Sequence, residues 1–272
     1  MKKVFGQLFG FRRAAKMNAG YLLSLAISIL LALLVGAGIM ALSGHDPIGG
    51  YGALITGALS SKRAIGDTLA KTATLCLLGL SVAIAAQAGI FNCGGEGQLY
   101  FGAMASALLG AKLSGAPAVI AVPLCLIAAM LAGAFWAFIP AWFKVRLKVN
   151  EVITTIMLNS VATYFCAYLS NGPLKTAERG IASGTAKIDN AFAFSRVINL
   201  SNLTTSIFVS AAVALLLWYL MRRTTIGYEM KLTGENERFA NYTGIHSKKL
   251  MLWGMIISGA ICGMVGMFEV FG

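Results

Sequence analysis

Long apolar runs, separated by charged or glycine-rich stretches, recur along the whole of this sequence. The first covers residues 21–42, and about 20 apolar residues are enough for a helix to cross a bilayer. Inside hydrocarbon every backbone N–H and C=O must find a partner within the protein, and a helix supplies its own. The chain is 58% hydrophobic and 12% charged, whereas a soluble domain carries about 25% charged residues. These features predict an all-α, polytopic transmembrane helix bundle.

The apolar runs predict about seven membrane spans. They cover approximately 21–42, 67–89, 99–114, 118–142, 152–169, 204–221 and 250–271. The third run is short for a full crossing. We therefore expect a short tail over residues 1–20, followed by one transmembrane domain over residues 21–272.

The distribution of Lys and Arg predicts the orientation of these spans. Most of the 22 basic residues lie in the N-terminal tail and in the loops after the fourth and sixth spans, rather than in loops 43–66 and 170–203. Because cytoplasmic loops carry an excess of Lys and Arg, the N-terminus is predicted to be cytoplasmic. This rule also accounts for the net charge of +12, so we expect membrane lipids as the surroundings and no nucleic acid as a partner.

The sequence contains no pattern typical of catalysis or metal binding. The five cysteines show no metal-ligand spacing and no CxxC pair, so neither a metal site nor a disulfide framework is predicted. No GxxxxGK[ST] loop is present to hold a nucleotide. His45 and His246 lie in loops on opposite predicted sides of the membrane and have no nucleophile as a partner. We therefore expect neither enzymatic activity nor a cofactor.

A polar island, GIFNCGGEGQLYFGA, interrupts the apolar pattern from Gly89 to Ala103. Its glycines make a continuous helix unfavourable, so the pattern predicts a helix that breaks near Gly89 and restarts around Gln98. Glu96 would then accept hydrogen bonds at the restarting N-terminus, while Asn92 and Gln98 bond to the exposed backbone carbonyls. The segment near 89–98 either lines a translocation path at membrane depth or is a short cytoplasmic turn between two spans.

A polar stripe follows in KVNEVITTIMLNSVA, at the start of the fifth span. Thr155 and Asn159 are four residues apart and so share one face of a helix. Such a stripe is costly against lipid. It serves either interhelical hydrogen bonding or a polar cavity.

Small residues mark two further spans. Gly259 and Gly263 form a small-xxx-small pair on the last span, and Ala129 and Gly133 form another on the fourth. Such pairs let two helices approach closely, and ordinary helix packing is the interpretation that we favour for each.

The basic loop 222–249 contains the stretch ENERFANYTGI, which predicts a short helix. Acidic residues occupy its first turn, and a glycine follows its last. Two aromatic residues three positions apart share one face. Such a helix either docks into a groove on a partner protein or is a solvated surface helix. The positions that mark this loop are Gly234, Glu235, Phe239, Tyr242 and Gly244.

Three stretches of the chain resemble one family. GIFNCGGEGQ is similar to the GxFNIGAEGQ motif of the permease subunits of ABC importers for nucleosides and simple sugars, in the branched-chain amino acid and ribose-type permease group. KVNEVITTIMLNSVA is similar to the family's NEVISTIMLN segment, and residues 224–272 resemble its GYRLRAVGENPEAARYAGI segment with the following helix. Cys93 stands where the family usually has Ile, and Gly95 where it has Ala. Because the family usually continues for several more helices, we expect the chain to be truncated.

The resemblance implies a function. The chain would be the permease subunit of an ATP-driven importer in the plasma membrane, forming the translocation path for a nucleoside or a simple sugar. Its partners would be an ABC ATPase subunit that seats the helix in loop 222–249, a second permease subunit in a heterodimer, and an extracytoplasmic substrate-binding lipoprotein. The residues expected along the path are Asn92, Glu96, Gln98, Thr155 and Asn159.

A stand-alone ion-coupled secondary transporter or channel is the alternative. Such a protein needs charged groups inside the membrane to couple transport to an ion gradient. Only Glu96 and Glu269 qualify, and neither has a clear basic partner in a span.

Overall fold

A computed structural model describes residues 19–176, 184–198 and 200–272 of the chain. These residues form α1 (Ala19–Leu42), α2 (Pro47–Leu59), α3 (Lys62–Gln87), α4 (Gly95–Lys112), α5 (Ala118–Trp142), α6 (Glu151–Asn171), α7 (Ser206–Arg223), α8 (Thr225–Glu235), α9 (Glu237–Tyr242) and α10 (Ser247–Phe271). A π-helical turn extends α5, and a short 3-10 turn precedes α7. The prediction of an all-α membrane bundle is confirmed. The predicted tail lies almost wholly outside the described residues.

Six of these helices are long and apolar enough to cross a membrane. They are α1, α3, α5 with its extension, α6, α7 and α10. The predicted third span, 99–114, falls on α4, which starts earlier, at Gly95, and is not among the six. Helix α4 has 18 residues, as many as α7, but Glu96, Gln98 and Lys112 make it less apolar than the six.

The chain divides into two compact units at Ser60. The first unit contains α1 and α2. Residues 43–66 were expected to form a loop, and this expectation is wrong because α2 lies within them. Asp46 caps α2 by accepting hydrogen bonds from the N–H groups of Ile48 and Gly49, at 3.0 and 2.9 Å. Since Pro47 also suits the first turn of a helix, the segment after Asp46 is helical despite its glycines.

The second unit runs from Ser61 to Gly272, and α10 is its central helix. The small-residue pairs predicted on α5 and α10 lie against one another. A Cβ atom added at Gly263 would meet the carbonyl oxygen of Ala129, and one added at Gly133 would meet that of Gly259. Helix α4 approaches the same point, because a Cβ on Gly102 would meet the backbone of Gly263. Three helix backbones therefore touch with no side chain between them.

We expect Gly263→Ala to destabilise the protein. Its Cβ has no room against the Ala129 carbonyl oxygen, and overpacking of a tight contact costs about 1–3 kcal/mol. Thermal unfolding of the purified protein in detergent measures the change. Gly79→Ala is the control, because a Cβ there meets nothing within 4 Å. Equal unfolding temperatures for the two variants would show that the close approach of α5 to α10 is not needed for stability.

Candidate functional site: a broken helix inside the bundle

The polar island forms a break between α3 and α4. Helix α3 ends at Gln87, and the chain turns at Gly89, where φ is 81°. Residues 90–94 are not helical, and α4 begins at Gly95. The predicted break is therefore present at Gly89, but the helix restarts at Gly95 rather than around Gln98.

The break starts near the beginning of α10, where Gly89 lies beside Met251, and reaches the middle of two spanning helices. The Asn92 side chain bonds to Ser258, which is close to the midpoint of α10. The backbone of Gly97 bonds to Asn159, in the first half of α6. The alternative of a short turn beyond the ends of two spans does not fit this placement. The segment is instead irregular backbone held within the bundle, as membrane depth requires.

Asn92 and Gln98 form a reciprocal amide pair across the break. Asn92 Nδ2 donates to Gln98 Oε1 at 2.8 Å, and Gln98 Nε2 donates to Asn92 Oδ1 at 3.0 Å. Asn92 Nδ2 also donates to Ser258 Oγ at 2.7 Å, and Asn92 Oδ1 accepts the N–H of Gly94 at 2.8 Å. Both amide side chains are 1% exposed. Every hydrogen-bonding group of Asn92's amide is thus satisfied without water.

Asn159 joins the two backbone ends of the break from a separate helix. Its Oδ1 accepts the N–H of Gly97, the third residue of α4, at 2.9 Å. Its Nδ2 donates to the carbonyl oxygen of Cys93, also at 2.9 Å. The first N–H groups of a helix have no partner within that helix. Asn159 therefore acts as an N-cap supplied by α6.

Thr155 lies one turn before Asn159 on α6 and is fully buried. A Cβ added at Gly94 would be 3.2 Å from the Cβ of Thr155, so the two residues pack together. The Thr155 hydroxyl donates to the Glu151 carbonyl oxygen of its own helix at 2.7 Å. Thr155 therefore contributes packing to the break and no hydrogen bond.

Glu96 does not hold the break together, contrary to the expectation. Its side chain is exposed, and within the described residues it makes no hydrogen bond or ion pair. The N–H groups that it was expected to bind are taken by neutral amides, Asn92 and Asn159. Glu96 shares an exposed face of α4 with Tyr100, four residues further on.

Two residues at the break were missed by the sequence interpretation. Ser258 lies among the small residues of α10, where nothing marks it as a hydrogen-bonding partner. Trp136 stacks on Phe101 with ring centroids 3.9 Å apart. Its Nε1 lies beside Gly97 and is buried without a partner in the described part of the chain.

The basic loop 222–249 forms two helices instead of one. Gly234 and Glu235 belong to the last turn of α8, so the expectation that Glu235 opens the short helix is wrong. Asn236 caps α9 instead, by accepting the N–H of Phe239 at 3.0 Å. Asn separates the two helices because its side chain supplies the cap that a Glu at this point does not.

The aromatic face of α9 is exposed. The exposed fractions of Phe239 and Tyr242 are 51% and 90%. Gly244, with φ of 84°, follows the end of α9, in the left-handed conformation that glycine adopts most easily. On the opposite face, Ala240 is fully buried. The helix is thus anchored on one side and free on the other.

Glu269 has a basic partner, which corrects the expectation that it has none. Lys71 Nζ lies 3.3 Å from Glu269 Oε2, and Thr74 Oγ1 donates to Glu269 Oε1 at 3.0 Å. The two charged side chains are 69% and 39% exposed. They line a polar cavity of about 310 Å³ at the end of α10 remote from α9.

The chain is similar in sequence to known permeases. Residues 64–272 match the model of the family described as branched-chain amino acid transport system, permease component. A guanosine ABC transporter permease protein of Bacillus subtilis is 35% identical over 254 residues, which are 93% of this chain and 72% of that protein. A nucleoside ABC transporter permease protein of Lactococcus lactis is 32% identical over 254 residues, with coverages of 90% and 70%.

The name of a third relative specifies a sugar as the transported substrate instead of a nucleoside. A glucose ABC transporter permease protein of Haloferax volcanii is 31% identical over 262 residues, which are 90% of this chain and 67% of that protein. No solved structure matches the chain.

We expect Asn159→Ala to destabilise the protein more than Glu96→Ala does. The first change leaves the N–H of Gly97 and the carbonyl of Cys93 without the partner they have now, at about 1–3 kcal/mol. The second removes a side chain that bonds to no described residue. Thermal unfolding in detergent compares the two, with Thr163→Ala as a control, because that hydroxyl bonds only within its own helix, to Asn159 O. A greater loss of stability in Glu96→Ala would contradict this assignment.

Proposed function

We infer the function of this chain from its family, because it belongs to the permease components of branched-chain amino acid-type transport systems. It is a multi-pass membrane protein and a permease subunit of an ABC importer. We propose that it forms the translocation path for a nucleoside, which an extracytoplasmic binding lipoprotein delivers. ATP hydrolysis takes place in a separate ATPase subunit.

A nucleoside is the substrate that the available observations favour. The names of two relatives that are 35% and 32% identical to this chain specify guanosine and nucleosides. The side chains that hold the break, Asn92, Gln98, Asn159 and Ser258, are neutral amides and a hydroxyl, and they bond to one another or to the backbone of the break. We propose that they fix the wall beside the solute and do not bind it. A simple sugar is the second candidate, because the glucose permease of Haloferax volcanii is 31% identical.

The exposed carboxylate of Glu96 supports a path beside the break. It lies at the start of α4, and the neighbouring Gly95 is level with Cys262, past the midpoint of α10. A carboxylate facing lipid at such a depth costs about 2.5–3.5 kcal/mol or more. We propose that Glu96 and Tyr100 instead face a water-filled path, which a second permease subunit of a heterodimer closes from the other side.

The exposed aromatic face of α9 supports a coupling contact with the ATPase subunit. Phe239 and Tyr242 project from a short helix whose base is fixed by the Asn236 cap. Ser247, at the start of α10, also donates to Asn241 Oδ1 at 2.9 Å. An anchored helix with two free aromatic side chains fits a groove on another protein. This proposal places α8 and α9 in the cytoplasm.

We propose that the break and α4 together complete a seventh crossing, from Gly89 beside Gly234 to Gly110 beside Phe271 at the other end of α10. The N-terminus is then on the same side as α8 and α9, as the basic loops predict.

A stand-alone ion-coupled transporter is less well supported. The family is that of ABC permeases, and Glu269 lies 39% exposed beside Lys71, so it is not a charge buried inside the bundle of the kind that ion coupling uses.

We expect uptake of guanosine to require ATP. The complete transporter is reconstituted in vesicles with its ATPase subunit, second permease subunit and binding protein, and tritiated guanosine is the probe. Uptake should stop when ATP or the binding protein is omitted and should persist when an ionophore removes the ion gradients. Tritiated glucose tests the second candidate. Uptake that follows an ion gradient without ATP would overturn the proposed function.

We expect Phe239→Ala to weaken association with the ATPase subunit. Truncation of an anchor residue often costs about 2 kcal/mol of binding free energy. Co-purification of the ATPase measures the loss. Phe208→Ala is the matched control, since Phe208 is an exposed aromatic residue on α7, near the end of that helix away from α8. Wild-type association of Phe239→Ala would exclude this face of α9 as the contact.

A further inference from the structure

The cytoplasmic helix α8 touches the turn from which the break begins. A Cβ added at Gly234 would lie 2.5 Å from the Gln87 carbonyl oxygen and 3.2 Å from that of Ala86. A Cβ added at Gly89 would lie 3.3 Å from the Cα of Gly234. The last turn of α8 and the end of α3 are therefore in direct backbone contact. No side chain separates these two segments. A shift of the last turn of α8 toward α3 therefore pushes the end of α3.

Buried side chains brace this contact. Met230 and Ala88 are fully buried and form a cluster with Leu250 at the start of α10. Thr233, adjacent to Gly234, is 2% exposed, and its hydroxyl has no hydrogen-bond partner among the described residues. Burying an unpaired hydroxyl is unfavourable. The Thr233 hydroxyl is therefore a buried polar group that the packing of the described residues leaves without a hydrogen bond.

The same turn of α8 leads directly into α9. Asn236, which caps α9, donates its backbone N–H to Leu232 O in the last turn of α8 at 3.0 Å. On the other side of the contact, Gly89 is only three residues before Asn92, whose amide holds the break. The turn is itself fixed, because Ile90 N donates to Ala85 O at 3.1 Å. Only Ile90 and Phe91 separate this turn from Asn92.

We propose that Thr233 and Gly234 are positioning residues that transmit a displacement of α9 to the break. This proposal rests on the proposed function, in which the ATPase subunit docks on α9. When the ATPase moves α9, the last turn of α8 moves with it and shifts the turn at Gly89. That shift moves Asn92 relative to Gln98 and Ser258. The hydrogen bonds that close the break are thereby coupled to the state of the ATPase.

The test uses the complete transporter with Cys93 as its remaining cysteine in this chain. Cys93 is half-buried and lies inside the break, so its labelling by a thiol reagent reports on the conformation there. The other native cysteines are replaced by serine. ATP hydrolysis, uptake of tritiated guanosine, and labelling of Cys93 with and without ATP are measured on the same preparation.

Gly234→Ala should uncouple hydrolysis from uptake. We expect guanosine uptake per ATP hydrolysed to fall about tenfold, within the range that changes between coupled sites produce, while the ATPase still co-purifies. The labelling of Cys93, which should depend on ATP in the wild type, should become independent of it. Gly79→Ala, which adds a Cβ to α3 where the space is open, should leave all three measurements unchanged.

Thr233→Ala covers the case in which Gly234→Ala does not assemble. It shortens a buried side chain next to the contact instead of adding an atom to it, so it introduces no clash, and it should lower uptake per ATP in the same direction. Wild-type uptake per ATP together with ATP-dependent Cys93 labelling, in either variant once assembled, would overturn the proposed transmission. If the wild-type transporter itself takes up no guanosine with ATP, the proposed function fails, and the inference fails with it.

Discussion

Backbone N–H and C=O groups that lie inside a membrane bundle but outside a helix need partners from the protein itself. The break between α3 and α4 creates such groups at Cys93 and Gly94, and it leaves the N–H of Gly97, in the first turn of α4, without a partner in its own helix. Asn159 on α6 bonds directly to two of these groups. Ser258 on α10 contributes indirectly, because it accepts a hydrogen bond from Asn92, the residue that binds the N–H of Gly94. This requirement fixes how closely α4, α6 and α10 must approach one another, because a hydrogen bond at 2.7–2.9 Å tolerates little displacement.

Glycine contacts make that close approach feasible. The most apolar stretch of α10 is 72% buried within the protein, compared with 11% for α7. Helices α4 and α5 meet α10 backbone to backbone at Gly102, Gly133 and Gly263. The carboxylate of Glu96 lies on the exposed side of α4, opposite the side that packs on α10. The start of α4 therefore has one tightly packed face and one exposed polar face. Such an arrangement holds the break in position while Glu96 remains exposed.

The sequence was sufficient to locate the break and most of its polar residues, but not their directions. Asn92 and Gln98 were expected at the break, bonded to backbone carbonyls, but they bond to each other and to Ser258. Asn159 was expected on a polar stripe that serves either a neighbouring helix or a cavity. Glu96 was assigned the central bond because a carboxylate suits a helix N-terminus. Glu96 and Gln98 are only two residues apart, yet on a helix they point to nearly opposite sides. Only packing decides which of them faces the core. Ser258 was missed because a short polar residue in an apolar stretch has no distinctive pattern. Asn236 did carry a signal, because Asn is a preferred N-cap residue, but its acidic neighbours were taken for the first turn of the helix.

The central claim is that the exposed start of α4 faces water inside the assembled transporter. Glu96→Cys, in a background without other cysteines, tests it by labelling with a charged, membrane-impermeant thiol reagent. Leu131→Cys on α5 is the control, because Leu131 is 64% exposed and its apolar surroundings predict contact with lipid. The account predicts that the cysteine at position 96 is labelled in the assembled transporter, that guanosine slows this labelling, and that the cysteine at position 131 is not labelled. Failure to label position 96 under any nucleotide condition would contradict a water-filled path beside the break.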